Sequence, residues 1–104
     1  MKIEAFKMKL KPGSEQEYAR RHAHIWTELR QLLSESGVSD YSIFLDRETL
    51  ALFAVQKVSG EGGSQDLGGN EIVRKWWAYM ADIMETNPDN SPTSEPLPMV
   101  FHMD

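Results

Sequence analysis

The sequence predicts an α+β fold of the ferredoxin-like type, with elements in the order β-α-β-β-α-β and both helices on one face of an antiparallel sheet. Three patterns lead to this prediction. Ile3 to Leu10 alternates in the manner of a strand. Two longer segments repeat apolar residues at helical spacing. Short apolar runs between and after these segments have the length of strands.

The composition narrows the function classes. A chain of 104 residues is most simply one domain, residues 1–104. Its net charge of −5 argues against a nucleic-acid partner, and no apolar run reaches the roughly 20 residues that span a bilayer. The absence of cysteine excludes disulfides, thiolate metal sites and cysteine nucleophiles. The amino terminus carries no apolar signal segment, which indicates the cytoplasm.

The first strand is predicted to end at Lys11-Pro12-Gly13. Ser14 to Glu17 matches a capping box, in which the serine hydroxyl and the glutamate three residues later bind free amides. One long helix is therefore predicted from Ser14, and Gly37 stands where a left-handed cap would end it. Its apolar stripe consists of Tyr18, His22, Ile25, Leu29, Leu32 and Leu33.

Strands two and three are predicted at Tyr41 to Leu45 and Leu50 to Val55, with a turn between them. The third strand is apolar at every position, which favours a strand covered on both faces. The helices of this fold cover only one face of the sheet. The free face is therefore predicted to pack against a second copy of the chain, giving a homodimer.

The second half of the chain is predicted to hold one helix and one strand. Ser59 to Asn70 contains five glycines and is interpreted as a flexible loop. Asn87 to Pro98 contains four prolines and is interpreted as a second loop, and Met99 to His102 as the last strand. A helix that begins near Asn70 carries the apolar residues Val73, Trp76, Trp77, Met80, Ile83 and Met84.

The dipeptide Trp76-Trp77 points to a ligand. Adjacent residues lie about 100° apart around a helix, so one core-facing stripe is not expected to bury both indoles equally. One of the two is predicted to serve something besides packing, and the sequence does not decide which. Flat aromatic faces suit the C–H side of a small sugar, which makes carbohydrate the first ligand class to test.

Tyr18 and His22 lie four residues apart and so share a helix face. The plainer interpretation is a core tyrosine and a hydrogen-bonded core histidine. The alternative is an inward-pointing general acid or base, since an ordinary histidine pKa is about 6.5. His24 is only two residues further on, so it should point elsewhere and form no chelating pair with His22.

Two other places could contact a ligand. Tyr41 shares its strand face with Ile43 and Leu45, so it is either a packing residue or a hydroxyl in the same pocket. Asn87-Pro88-Asp89-Asn90 offers a carboxylate and amides that could bind hydroxyls or simply form turns. No nucleophile elbow, phosphate-binding loop, zinc motif or dinucleotide motif is present. Acid/base chemistry or plain binding remains.

The chain resembles the L-rhamnose mutarotases over nearly its whole length. The similar stretches are Tyr18 to His22 with Ile25 to Leu29, Tyr41 to Asp46, and Trp76 to Met80 through Asn87 to Pro92. The stretch from Gly60 to Gly69 departs from the family, where a better helix former would be expected. The resemblance implies a dimeric ferredoxin-like α/β barrel with His22 as proton donor. The sugar contacts that it implies are Tyr18, Tyr41, Trp76 and Trp77.

The activity that this resemblance implies is the interconversion of the α and β anomers of L-rhamnopyranose, or of a related 6-deoxyhexose, without metal or cofactor. Ring opening requires an acid at the ring oxygen, assigned to His22, and a base at the anomeric hydroxyl. Tyr18, Asp89 or a bound water could be that base. The fold alone also allows a cofactor-independent oxygenase or a haem-handling protein, and a non-catalytic sugar-binding module is a further alternative.

Overall fold

The computed structural model describes residues 1–104 and shows a small α+β fold with three α-helices and a four-stranded sheet. The α+β class predicted from the sequence is confirmed. In the order β2-β3-β1-β4, every pair of neighbouring strands is antiparallel. The elements in chain order are β1 (Lys2–Lys9), α1 (Glu15–Ala23), α2 (Thr27–Glu35), β2 (Val38–Leu45), β3 (Ala51–Val58), α3 (Glu71–Met80) and β4 (Glu95–Leu97).

One face of the sheet carries the core. Phe6 and Met8 of β1 and Leu52 and Ala54 of β3 are buried in the cluster that contains the apolar residues of the helices. Alternate residues on the other face are more exposed, and Phe53 keeps 37% of its surface. Within a single chain β3 is covered on one face only, because the side chains of the helices reach only that face, and cover of its second face by another copy of the chain stays a prediction.

The long helix predicted from Ser14 is broken. It ends at Ala23, and the chain resumes as α2 only at Thr27, with Trp26 in an extended conformation at ψ 131°. The break lets the Trp26 indole pack edge-on against Trp76, at 5.1 Å between ring centroids, and stack on Tyr79. The predicted capping box is also wrong, since the Ser14 side chain makes no capping hydrogen bond.

Gly37 has the positive φ of 93° that was predicted for the end of the helix from Ser14, and it follows the end of α2 in the structure. A side chain there would also meet the backbone nitrogen of Gly60 at 2.7 Å. The glycine-rich segment is not only a loop: it contains a 3-10 turn at Ser64–Asp66, and the Ser64 backbone amide donates to the Gln56 side chain at 3.2 Å. The start of α3 after Asn70 is confirmed, and the Asn70 side chain caps that helix by accepting from the Ile72 amide at 2.8 Å.

The last strand lies earlier than predicted. Glu95–Leu97 pairs with Ala5 to Lys7 at the sheet edge, where a proline is tolerated because one side of the strand has no partner. Met99 to His102 forms no strand, so that prediction is wrong. The apolar side chains of this tail are exposed, and Val100 keeps 93% of its surface. No helix has both the length and the apolar character needed to cross a membrane.

Candidate active site

The three helices and the core-facing side of the sheet line one large cavity of about 700 Å³. It reaches from the start of α1 to β2 and is open enough to admit a small ligand. The five residues that the resemblance implies for the site all line it, which brings together side chains that lie up to 59 positions apart along the chain. These residues are Tyr18, His22, Tyr41, Trp76 and Trp77.

His22 occupies the last turn of α1. Its ring stacks on the Tyr18 ring at 4.3 Å between centroids and meets the edge of Trp76 at 5.5 Å. Its Nδ1 atom lies 3.1 Å from the backbone carbonyl oxygen of Tyr18. The predicted inward face shared by Tyr18 and His22 is thus confirmed. His24, the other histidine of this region, is exposed and does not line the cavity.

The second nitrogen of the His22 ring is open to the cavity. Nε2 has no hydrogen-bond partner in the protein and keeps some accessible surface. Because a carbonyl oxygen can only accept, Nδ1 carries the proton in the neutral ring and Nε2 presents a lone pair. Burial lowers the pKa of His22, an effect that the Tyr18 carbonyl opposes in part. The neutral form therefore predominates at neutral pH.

The two tyrosines supply hydroxyl groups to the cavity wall. Tyr18 is buried, and loss of water raises its pKa well above the ordinary range. Burial also raises the pKa of Tyr41, although the Ser64 hydroxyl beside it acts in the opposite direction. Both side chains are therefore neutral phenols near pH 7. They can donate hydrogen bonds to a ligand but are poor bases.

Both indoles of the tryptophan pair are buried to the same extent, at 8% exposure each. The expectation of unequal burial is wrong, because α3 has neighbours on two sides. Trp76 contacts the rings of His22 and Trp26. Trp77 reaches the glycine-rich segment, where a methyl group on Gly68 would lie 3.1 Å from the indole. Each indole still lines the cavity, so burial does not prevent either from touching a ligand.

The segment from Asn87 to Ser91 is a turn held by side-chain hydrogen bonds, and one of its residues lines the cavity. The Asp89 carboxylate accepts from the Ser91 amide at 3.0 Å, and the Asn87 side chain donates to the Ser91 hydroxyl at 3.0 Å. The Ser91 hydroxyl and the Ser91 amide, which both donate to the Asp89 carboxylate, lower the pKa of Asp89. The Asp89 side chain does not line the cavity. Asn90 does line it, and it is held at a left-handed φ of 71°.

Sequence reasoning missed two residues near the site. Glu15 lines the cavity, and its Oε1 atom is buried without a hydrogen-bond partner. Its position three residues before Tyr18 places it on the same helix face, but the capping-box interpretation hid this signal. Trp26 packs behind Trp76 at the helix break, which the unbroken helical pattern did not reveal. No three side chains of the metal-binding types come together.

This arrangement combines an imidazole with an open nitrogen, phenol donors and aromatic walls in a cavity that suits a small ring.

A family model described as L-rhamnose mutarotase matches residues 4–103. An L-rhamnose mutarotase from Bacteroides thetaiotaomicron is 73% identical over 104 residues, and one from Phocaeicola vulgatus is 66% identical, each match covering 100% of both chains. A crystal structure of an L-rhamnose mutarotase from Formosa agariphila matches with a TM-score of 0.93 at 58% identity, covering 100% of both chains.

Proposed function

Because the chain belongs to the L-rhamnose mutarotase family, we propose that His22 carries the proton that its reaction moves. The activity is an isomerisation that interconverts anomers of L-rhamnose. The observation that carries the proposed route is the His22 ring, with one nitrogen bound to the Tyr18 carbonyl and the other open to the cavity. The family match decides against the oxygenase and haem-handling alternatives.

The net chemistry is the transfer of one proton between two oxygens of the sugar. Ring opening removes the proton from the anomeric hydroxyl, breaks the bond between the anomeric carbon and the ring oxygen, and leaves a hydroxyl on that ring oxygen. The open chain then carries an aldehyde. Rotation of the aldehyde and the reverse proton transfer close the ring on the opposite face. No atom or electron pair leaves the substrate, so no co-reactant is needed.

His22 is the proposed proton donor, and its tautomer indicates where the proton comes from. In the neutral ring, Nε2 first accepts the proton of the anomeric hydroxyl and then delivers it to the ring oxygen. The two oxygens share one carbon, so a single nitrogen can serve both. The other candidates for the base fit less well. Tyr18 stays protonated, and Asp89 is bonded to Ser91 and lies outside the cavity wall.

The sugar contacts are proposed from the cavity wall. Trp76 and Trp77 supply flat apolar surface for the C–H groups of the ring and for the C5 methyl group of L-rhamnose. The phenols of Tyr18 and Tyr41 donate hydrogen bonds to sugar oxygens. Together these contacts hold the anomeric carbon beside His22.

We further propose that the chain is a single domain that forms a homodimeric ferredoxin-like barrel. The antiparallel order β2-β3-β1-β4 supports the ferredoxin-like part of this proposal. The open face of the sheet supports a dimer, because Phe44 keeps 62% of its surface there and contiguous exposed apolar surface marks an interface. The cytoplasmic location stays a prediction from the sequence.

Exchange NMR on the anomeric protons of L-rhamnose tests the function, with L-fucose and D-glucose as comparison sugars. Cross-peaks between the α and β anomers of L-rhamnose that strengthen with added protein are expected. Binding of L-rhamnose with exchange at the uncatalysed rate would instead identify a non-catalytic sugar-binding module. Equal acceleration for all three sugars would contradict the proposed sugar contacts.

A further inference from the structure

A buried arginine ties the end of α1 to the end of α3. Arg21 retains only 9% of its surface, which is rare for this residue type. Its Nη1 atom donates to the Tyr79 backbone carbonyl at 2.7 Å and to the Asp82 carboxylate at 2.9 Å, and Nη2 reaches the second Asp82 oxygen at 3.2 Å. The guanidinium also lies over the Tyr79 ring, 4.4 Å from its centroid. One side chain thus makes four contacts with residues about 60 positions away.

The helix that carries His22 needs such an attachment. α1 has nine residues and no side-chain cap at its start. Helices shorter than about 12 residues are marginal on their own, and their last turns fray first. His22 is the next-to-last residue of this helix, and the break to Trp26 follows directly. Without an anchor in the last turn, the ring of His22 would not keep a fixed place.

The contacts of Arg21 close a loop of packed groups. Tyr79 lies against Trp26 and Trp76, each at 5.6 Å between centroids, and Trp76 meets His22 at 5.5 Å. Arg21 completes this loop, because it contacts Tyr79 through space and is joined to His22 by a peptide bond. Movement of Arg21 away from α3 would therefore separate the imidazole from the indole that forms the cavity wall.

We propose that Arg21 is a positioning residue for the anomer exchange, holding His22 against Trp76 by its fork of hydrogen bonds to Tyr79 and Asp82. This proposal rests on the assignment of His22 as the group that transfers the proton. A guanidinium is suited to the task because its planar fork binds a carboxylate through two parallel bonds and a carbonyl at the same time. Proton transfer is sensitive to misplacement of about 1 Å, which can cost 10²-fold in rate.

Arg20 is a matched comparison for Arg21. It is the adjacent arginine, and its side chain is 56% exposed. Its Nε atom donates to Glu17 at 2.8 Å, within the same helix. Its guanidinium also lies near the side chain of Tyr79. Arg20→Met thus removes the same charge from the same helix while the bonds from Arg21 to the Tyr79 carbonyl and to Asp82 remain. Arg21→Met removes those bonds and keeps the apolar stem that packs in the interior.

The experiment measures kcat, KM and the NMR titration of the His22 ring in both variants. For Arg21→Met we expect kcat to fall about tenfold or more, KM to change less than about threefold, and the pKa of His22 to rise towards about 6.5 as its ring gains water. Arg20→Met should match the parent protein. A purely structural role would lower the thermal stability of Arg21→Met but leave kcat and the His22 titration of the folded protein unchanged.

Asp82→Asn is a second variant that keeps the measurement informative if Arg21→Met does not fold. It removes one charged partner at an exposed position and should change kcat and the His22 titration in the same directions by a smaller amount. Parent values for both quantities in the folded variants, or equal effects in Arg20→Met, would overturn the proposal. The titration is read without substrate, so it separates this proposal from a failure of the proposed activity, which an inactive parent protein would reveal.

Discussion

The Nδ1 atom of His22 lies 3.1 Å from the backbone carbonyl oxygen of Tyr18, one helical turn earlier. This contact fixes both the orientation of the imidazole and the nitrogen on which its proton resides. A histidine on the inner face of a helix is more often a packing residue than a catalytic one. Here the same helix face provides the backbone acceptor and the stacked ring, and the other ring nitrogen remains open to the cavity.

Replacement of His22 tests this assignment directly. We expect His22→Gln to remain folded, because the amide fits a similar space, and to slow anomer exchange by about 10² or more, since general acid/base assistance contributes that range. L-Rhamnose binding should be largely kept. His24→Gln is the control, because that side chain is exposed. Parent activity in His22→Gln, or a slower His24→Gln, would assign the proton transfer to another group.

The pH dependence of the rate distinguishes a ring that first accepts a proton from one that first donates. If neutral His22 begins the reaction, kcat/KM should fall as the pH drops through the pKa of His22, which burial holds below its ordinary value, and should level off above it. A rate that instead falls as the pH rises above this value would mean that the imidazolium form begins the reaction.

The free energy of unfolding should also depend on pH through His22, and the direction of its pKa shift fixes the sign of this dependence. Burial lowers the pKa of His22 in the folded chain relative to about 6.5 in the unfolded chain. The unfolded chain therefore binds more protons, so this contribution to stability is present above about pH 6.5 and is lost as the pH falls towards the folded pKa. Unfolding in denaturant at a series of pH values should show this loss in the parent protein. His22→Gln should remove it.

The tight contact between Gly68 and Trp77 gives a prediction at the other side of α3. A methyl group on Gly68 would lie 3.1 and 3.2 Å from two atoms of the indole, so Gly68→Ala should push Trp77 and cost about 1–3 kcal/mol of stability. L-Rhamnose binding should weaken because Trp77 lines the cavity. Gly69→Ala is the neighbouring control, since no atom lies within 4 Å of its added methyl group. Similar stability and binding in the two variants would contradict this account.

The sequence predicted features that depend on local spacing. Periodicity alone placed Tyr18 and His22 on one inner face, and Asn70 marked the start of α3, because both follow from residues a few positions apart. The same reasoning failed where distant residues decide. The helix breaks at Trp26, whose indole packs on Trp76 and Tyr79. Those two residues are about 50 positions away, so the residues around Trp26 do not reveal the break.

The predictions of unequal burial for the tryptophan pair and of a last strand at Met99 to His102 were wrong for related reasons. A helical wheel treats α3 as having one covered side, whereas Trp77 meets the glycine-rich segment and Trp76 meets α1 and the helix break. The run Met99 to His102 has the composition of a strand, but the strand that pairs with β1 is the proline-containing Glu95–Leu97. Pairing is decided by the available edge and not by composition.

The open face of the sheet leads to a prediction about assembly. Phe53 on β3 is paired with Phe44 on β2 and with Lys7 on β1, so it lies at the middle of this face, and 37% of its surface is exposed in the single chain. If two sheets pack face to face, a carboxylate at this position would be buried without a partner, which is strongly unfavourable. Phe53→Glu should therefore sediment as a monomer at micromolar concentration, whereas the parent protein should sediment as a dimer.

Gln31→Glu is the control for this variant. It lies on the exposed surface of α2, adds the same charge away from this face, and should leave the dimer intact. A parent protein that sediments as a monomer, or a Phe53→Glu variant that remains dimeric, would mean that this face does not form the interface.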